Sequence, residues 1–263
     1  LTGCDARNAL RAHNEAQISA TTGATMCGRI DQSQPIEHYL QQRAWPGLVN
    51  ASAAEPKFNV APGTYRPLLH RVDEHYQVDD LHWGYQAAWA SGKIPVAINA
   101  RLEKIGGKYW HPLLKSGRAI VPADGWYEWT GDKGVKQPWH IHRSDHAPIF
   151  MAALASFAPS GDNKASAGFT IVTADALGGM VDVHDRRPVV FSAADAALWL
   201  DPDLPAEAAE MLAREQALGP ETFAWHAVSK AVGNVRNQGA GLVEPLAEAA
   251  PVPDAEQGVT HRN

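Results

Sequence analysis

With two cysteines in 263 residues, Cys4 and Cys27, the chain cannot build the disulfide framework of a small secreted protein, and a reducing compartment is the simpler expectation. No apolar run approaches the ~18 residues of a membrane-spanning helix. Residues 1–25 also lack the apolar centre of a signal peptide, with Leu1, Leu10 and Ile18 scattered among polar residues. There is no excess of positive charge: the formal net charge is −6, so any nucleic-acid contact must come from a local basic patch. HExxH, CxxC, P-loop and GxGxxG patterns are all missing. Among the twelve histidines, "HIH" at 140–142 with His146 could begin a ligand set, but no zinc-site spacing accompanies it. These absences point to a cytoplasmic globule for which neither a metal nor an organic cofactor is expected.

The composition present, 45% apolar and 20% charged, is enough to bury a sizeable core. Strands are expected within 58–72 and at 118–122, 125–130, 138–143, 148–156, 168–173, 187–191 and 223–228, where β-branched and aromatic residues are bounded by turn formers. A helix is expected after Ser33 and Pro35, with Ile36, Tyr39 and Leu40 on one face. "SAADAALWL" (192–200) opens with Ser192 and Asp195 three apart, a capping pattern, and "PAEAAEMLAREQA" (205–217) reads as a further helix. Strands dominate without a regular βαβ rhythm, which indicates an α+β fold with largely antiparallel sheet. The organisation expected is a single domain over 26–246, preceded by a leader or mis-assigned start at 1–25 and followed by a flexible tail at 247–263.

Met26 is followed at once by "CGR", a sequence that reads like the start of a protein. A free cysteine is usually a small buried apolar residue. If Met26 were the initiator and were removed, however, Cys27 would carry a free amine (pKa about 8) beside its thiol (about 8.5). Such an aminothiol forms a Schiff base with an aldehyde and closes it to a thiazolidine, which an internal cysteine cannot do. In "GWYEW" an extended chain puts Glu128 on the face of Trp126. Two readings stay open there: a general acid/base whose pKa is raised beside the indole, or a solvated edge-strand carboxylate. His184 lies in a polar turn ahead of Arg186 and Arg187, either as a surface residue or as part of a site. Asn99 and Arg101, two apart, would share one side of an extended segment, where the arginine suits an anion such as phosphate. Trp83 and Trp89 flank a glycine and are read either as core or as platforms for unpaired bases. Lys93, Arg101, Lys104, Lys108, Lys115 and Arg118 face one acid, Glu103, across residues 93–118. Tryptophans beside such a basic block suit a funnel for single-stranded nucleic acid.

"MCGR" (26–29), "NVAPGT" (59–64), "WG" (83–84), "INAR" (98–101), "VPADGWYEW" (121–129), "HDRRPVV" (184–190) and "VSKAVGNVRN" (228–237), in this order, resemble the SRAP family of SOS response-associated peptidases. The resemblance implies a compact α+β domain on curved antiparallel sheet. It implies binding of single-stranded DNA and a covalent thiazolidine crosslink to abasic sites through an N-terminal Cys27, together with removal of the preceding residues. Asn99 would position the reacting sugar, Glu128 would hold the amine and move protons, and His184 would assist ring opening and reversal. Arg29 and Arg101 would contact the DNA backbone and Trp83 would pack near the bases, joined by Lys104 from the basic block. Arg187 stands where the family usually has methionine, and would either add a phosphate contact or disturb packing behind His184. A monomer with no membrane partner is expected. The competing expectations are a cysteine-type peptidase with no DNA role and a DNA-binding module without chemistry.

Overall fold

The computed structural model describes residues 27–41, 45–131, 136–158 and 166–247. The expected leader and most of the expected tail, Cys4 included, lie outside the described residues. Along the chain run β1 (Ile30–Gln32), α1 (Ile36–Leu40), β2 (Val49–Asn50), β3 (Lys57–Val60), β4 (Tyr65–Val72), β5 (His75–His82), β6 (Asn99–Arg101) and α2 (His111–Ser116). These are followed by β7 (Arg118–Ala123), β8 (Gly125–Thr130), β9 (Gln137–Arg143), β10 (Ile149–Ser156), β11 (Gly168–Asp175), β12 (Arg186–Pro188), β13 (Val190–Phe191), α3 (Ala193–Trp199), α4 (Ala206–Glu215) and β14 (Phe223–Ala227).

The strands form two sheets. The smaller has the order β14-β9-β8-β1-β3. The larger has the order β12-β11-β10-β7-β4-β5-β2, with β13 joined to β10 and β6 to β11. Pairing is antiparallel except where β2 meets β5 and β6 meets β11. The α+β class with largely antiparallel sheet is as the sequence indicates.

Layering explains the apolar runs. In β10, Phe150, Ala152 and Leu154 pack with residues of all four helices, such as Tyr39, Leu114, Trp199 and Ala209. The alternate residues Ile149, Met151, Ala153 and Ala155 pack against Ile30, Trp126, Ile141 and Phe223 of the smaller sheet. A strand buried on both faces has no reason to alternate with polar residues, hence "IFMAALA". β5 carries apolar residues only at Tyr76, Val78 and Leu81, too sparse a pattern for the sequence to mark it as a strand. Gly125, at the start of β8, is required by proximity: a Cβ there would lie 2.4 Å from the Ile141 carbonyl oxygen and 2.6 Å from His140 Nε2.

Local signals hold at α3, where Ser192 Oγ accepts the Asp195 amide N–H at 3.2 Å. One member of the basic block does not belong to a surface. Arg118 is buried, and its guanidinium donates to the carbonyls of Leu114, Trp199, Asp201 and Leu204, satisfying carbonyls in and after the last turns of α2 and α3. Among the described residues no helix is long and apolar enough to cross a membrane.

Candidate functional site

Glu128 lies on β8, the central strand of the smaller sheet, with β1 on one side and β9 on the other. The alternation of β8 turns Trp126 toward the larger sheet and Tyr127 away from it, so Glu128 points with Trp126 into the space between the sheets. It is 2% exposed, which removes the solvated edge-strand reading. Cys27, three residues ahead of β1, is 1% exposed and has a φ of 43°, in the left-handed region that few non-glycine residues occupy. Its backbone N–H donates to Glu128 Oε1 at 2.9 Å. Burial pushes the Glu128 carboxyl up to about 8, although the hydrogen bonds from Cys27 oppose the shift. Burial, and then the adjacent Glu128, raise the Cys27 thiol well above the usual thiol range. With an amide at Cys27, the pair is therefore two neutral acids.

A second wall comes from the larger sheet. β10 and β11 splay apart, and the segment containing β12 and β13 fills the fork: Val189 N–H donates to Val172 O, and Ala152 N–H donates to Val189 O. This insertion carries His184, Asp185 and Arg186 at its entrance. The Arg186 guanidinium is buried and donates to the carboxylates of Asp175 and Glu103 and to Thr173 O, so it ties β12 to β11 and to the turn after β6. His184 Nδ1 lies 2.8 Å from Asp185 Oδ1 and 3.0 Å from the Arg186 backbone nitrogen. Burial lowers the His184 pKa while Asp185 opposes that shift. The charges of Asp185 and Arg186 act on the Cys27 thiol, and those of Asp185 and Lys136 act on Glu128. Cys27, Glu128 and the 184–186 turn therefore form one electrostatic unit.

On the other edge of β11, β6 pairs in parallel, with Asn99 opposite Ile171 and Arg101 opposite Thr173. Asn99 is partly buried, and Arg101 and Lys104 are exposed. Arg101 acts electrostatically on Glu103, the partner of Arg186, so the "INAR" and "HDRR" segments meet across β11.

Two of the expected DNA contacts are overturned. Trp83 is fully buried; its ring stacks on Phe169 with centroids 6.0 Å apart, and its indole N–H donates to Ile98 O at 3.0 Å. No face is left for a base. Trp89 is the exposed indole, 66% accessible and edge-on to Tyr109. Arg187 is 5% exposed and donates to Leu218 O, so it takes the packing role and not the phosphate role. Arg29 is half-buried: its Nη1 donates to Asn59 Oδ1 and Val232 O, both at 2.6 Å, and its guanidinium lies 5.6 Å from the Trp129 ring centroid. Asp185, Lys136 and Asn59 were not singled out from sequence. An acid directly after a candidate histidine was a readable signal; the other two depend on long-range packing. His140, His142, His146 and His226 pack ring against ring, and among the described residues no group of three or more potential ligands is arranged to hold a metal.

The sequence profile of the SOS response associated peptidase (SRAP) family matches residues 26–235. The chain is similar to the abasic site processing protein YedK of Escherichia coli K12, with 43% identity over 226 residues, covering 84% of this chain and 100% of that one. It is 27% identical to the abasic site processing protein HMCES of Gallus gallus, covering 87% of this chain and 79% of that one. Among solved structures it resembles a phage-related protein of Bordetella bronchiseptica, with a TM-score of 0.66 and 40% identity, covering 78% of this chain and 95% of that one.

Proposed function

The chain belongs to the SOS response associated peptidase family, and on that premise we propose that it senses abasic sites in single-stranded DNA and captures them covalently through Cys27. The observation that carries this reading is the contact between the Cys27 nitrogen and Glu128 Oε1 at 2.9 Å, in a pocket that keeps the carboxyl basic enough to exchange protons near neutrality. Once Met26 is removed, that nitrogen becomes an amine and adds to the C1′ aldehyde of the ring-opened sugar. The carbinolamine oxygen then takes a proton and leaves as water, and the nitrogen gives its remaining proton to Glu128, giving the imine. Finally the Cys27 sulfur adds to the imine carbon, its proton passing to the nitrogen, and a thiazolidine results. Glu128 relays protons at the amine, His184 serves the sugar oxygens, and Asn99 positions the sugar. Exposed Arg101 and Lys104 hold the phosphates, and Trp89, in place of the buried Trp83, offers a face to an unpaired base. The same acid/base groups would serve hydrolysis of the Met26–Cys27 bond. A cytoplasmic monomer is part of this proposal.

The test compares two forms, each confirmed by mass spectrometry. An amide nitrogen is not nucleophilic, because its lone pair is delocalised into the carbonyl. A chain that keeps residues 1–26 should therefore bind abasic DNA and form no heat-stable adduct, whereas a chain beginning at Cys27 crosslinks. Cys27→Ser should lose the stable product. A stable adduct on a chain confirmed to retain Met26 sinks the mechanism.

A further inference from the structure

His184 presents one nitrogen to two incompatible partners. Nδ1 lies 3.0 Å from the Arg186 backbone N–H, which calls for a lone pair on Nδ1. It also lies 2.8 Å from Asp185 Oδ1, which calls for a proton there. Accepting from Arg186 puts the neutral ring's single proton on Nε2, where the ring can only donate. Donating to Asp185 leaves Nε2 able to accept a proton in the neutral ring and to give one up in the imidazolium. A group that must protonate a leaving oxygen and later be recharged needs the second arrangement.

We propose that Asp185 is a positioning residue for His184: its carboxylate holds the Nδ1–H, selects the tautomer and favours the protonated ring, so that Nε2 exchanges protons with the reacting sugar. This rests on the function proposed above. In the capture reaction the step balances as follows: the imidazolium gives its Nε2 proton to the carbinolamine oxygen, and the C–O electron pair departs with the water. The nitrogen lone pair forms the C=N bond of a protonated imine, which carries the positive charge until its N–H proton passes to Glu128, and the ring is left neutral with its proton on Nδ1, bonded to Asp185.

The geometry also makes Asp185 a tuning point. Its side chain is 80% exposed and that of His184 only 17%, so the carboxylate is held at the mouth while the ring lies inside. Among the described residues, Lys136 and Arg186 disfavour imidazolium electrostatically, whereas Asp185 favours it. Asp185 also acts on Cys27 and Glu128, opposing ionisation of both. It therefore biases all three groups toward their protonated forms.

The experiment uses the chain beginning at Cys27, as wild type, Asp185→Asn and Asp185→Glu. The His184 imidazole is followed by nitrogen NMR, with its signals assigned by their loss in His184→Gln. In Asp185→Asn the titration midpoint should fall by ~0.5 unit or more, and the neutral ring should shift toward the Nε2–H tautomer; Asp185→Glu should restore both. At saturating abasic single-stranded DNA and neutral pH, Asp185→Asn should form adduct about 3- to 10-fold more slowly, consistent with a general-acid contribution weakened and not abolished. Its DNA affinity should be no weaker, since a negative charge has been removed. Superimposable titrations and tautomer shifts would overturn the proposal, as would a changed ring with an unchanged rate at saturation. The titration is read without DNA, so an absence of adduct in wild type would instead defeat the function itself.

Discussion

Cys27 and Glu128 hold two buried weak acids side by side, and the charge they carry depends on what precedes Cys27. With an amide there, Glu128 keeps its proton up to about 8, against about 4.3 for an unperturbed glutamate. Between those values the folded state binds the extra proton. Stability therefore falls as pH rises through this window, and the cost of a buried carboxylate is fully present above pH ~8. In a chain retaining Met26, denaturant midpoints should decline from about pH 5 to about pH 9. Glu128→Gln should flatten that decline and be more stable at the alkaline end by roughly 1–4 kcal/mol; equal slopes would mean that the carboxyl is not buried as described. Removing Met26 sets an amine beside the same oxygen, so that nitrogen and carboxyl share a proton across 2.9 Å, and the processed chain should show a smaller alkaline decline. In that processed chain Glu128→Gln should slow adduct formation by about 10²-fold without unfolding it. The two tryptophans separate in the same way. Trp83→Ala removes a fully buried indole and should cost ~3–5 kcal/mol of stability. Trp89→Ala should leave stability nearly unchanged and weaken single-strand binding by ~1–3 kcal/mol. The opposite pattern in melting and affinity measurements would return Trp83 to the interface.

Element boundaries followed local chemistry wherever a cap or an alternating strand was present. Ser192 starts α3 as its spacing to Asp195 indicates, and Ser192→Ala should cost about 1 kcal/mol, measurable as a shift of the urea midpoint at constant slope. The expected strand at 187–191 is two strands, β12 and β13, because the chain passes from β11 to β10 within the fork they leave open. No pattern in "RPVVF" announces that change of partner. β6 was equally faint: three residues, Asn99–Arg101, are held extended by a parallel ladder to β11 whose partner lies about seventy positions away.

A protein of net charge −6 binds a polyanion only by concentrating its cations. Arg101, Lys104 and Lys108 are exposed along one stretch, while Arg118 and Arg187 are folded inward as donors to backbone carbonyls. Affinity for single-stranded DNA should therefore fall linearly as log salt rises, with the slope reduced by ~0.7 in Arg101→Ala if that residue neutralises one phosphate. Duplex DNA should bind more weakly, since stacking on Trp89 requires an unpaired base. The reaction of Arg101→Ala with a small free aldehyde should stay close to wild type. An equal loss in both reactions would place Arg101 in support of Cys27. A flat salt profile would remove the basic stretch from the interface.

The sequence by itself determined the α+β class, the capped helix α3, and the residue types of the site. "MCGR", "GWYEW" and "HDRR" carry an aminothiol precursor, a carboxylate beside an indole and a histidine in a polar turn, and each is chemistry encoded within a few residues. Only the tertiary structure decided which like residues do which work. Trp83 and Trp89 look alike in sequence. One is sealed by Phe169 from β11, the other left in solvent, because burial depends on a strand some eighty positions away. Arg186 and Arg187 are adjacent, but alternation along β12 turns one toward Glu103 and Asp175 and the other toward Leu218 O. Glu128 keeps its proton to about 8 only because two sheets close over it: the shift of a carboxyl from about 4.3 is a property of the desolvated space between them, not of the residue.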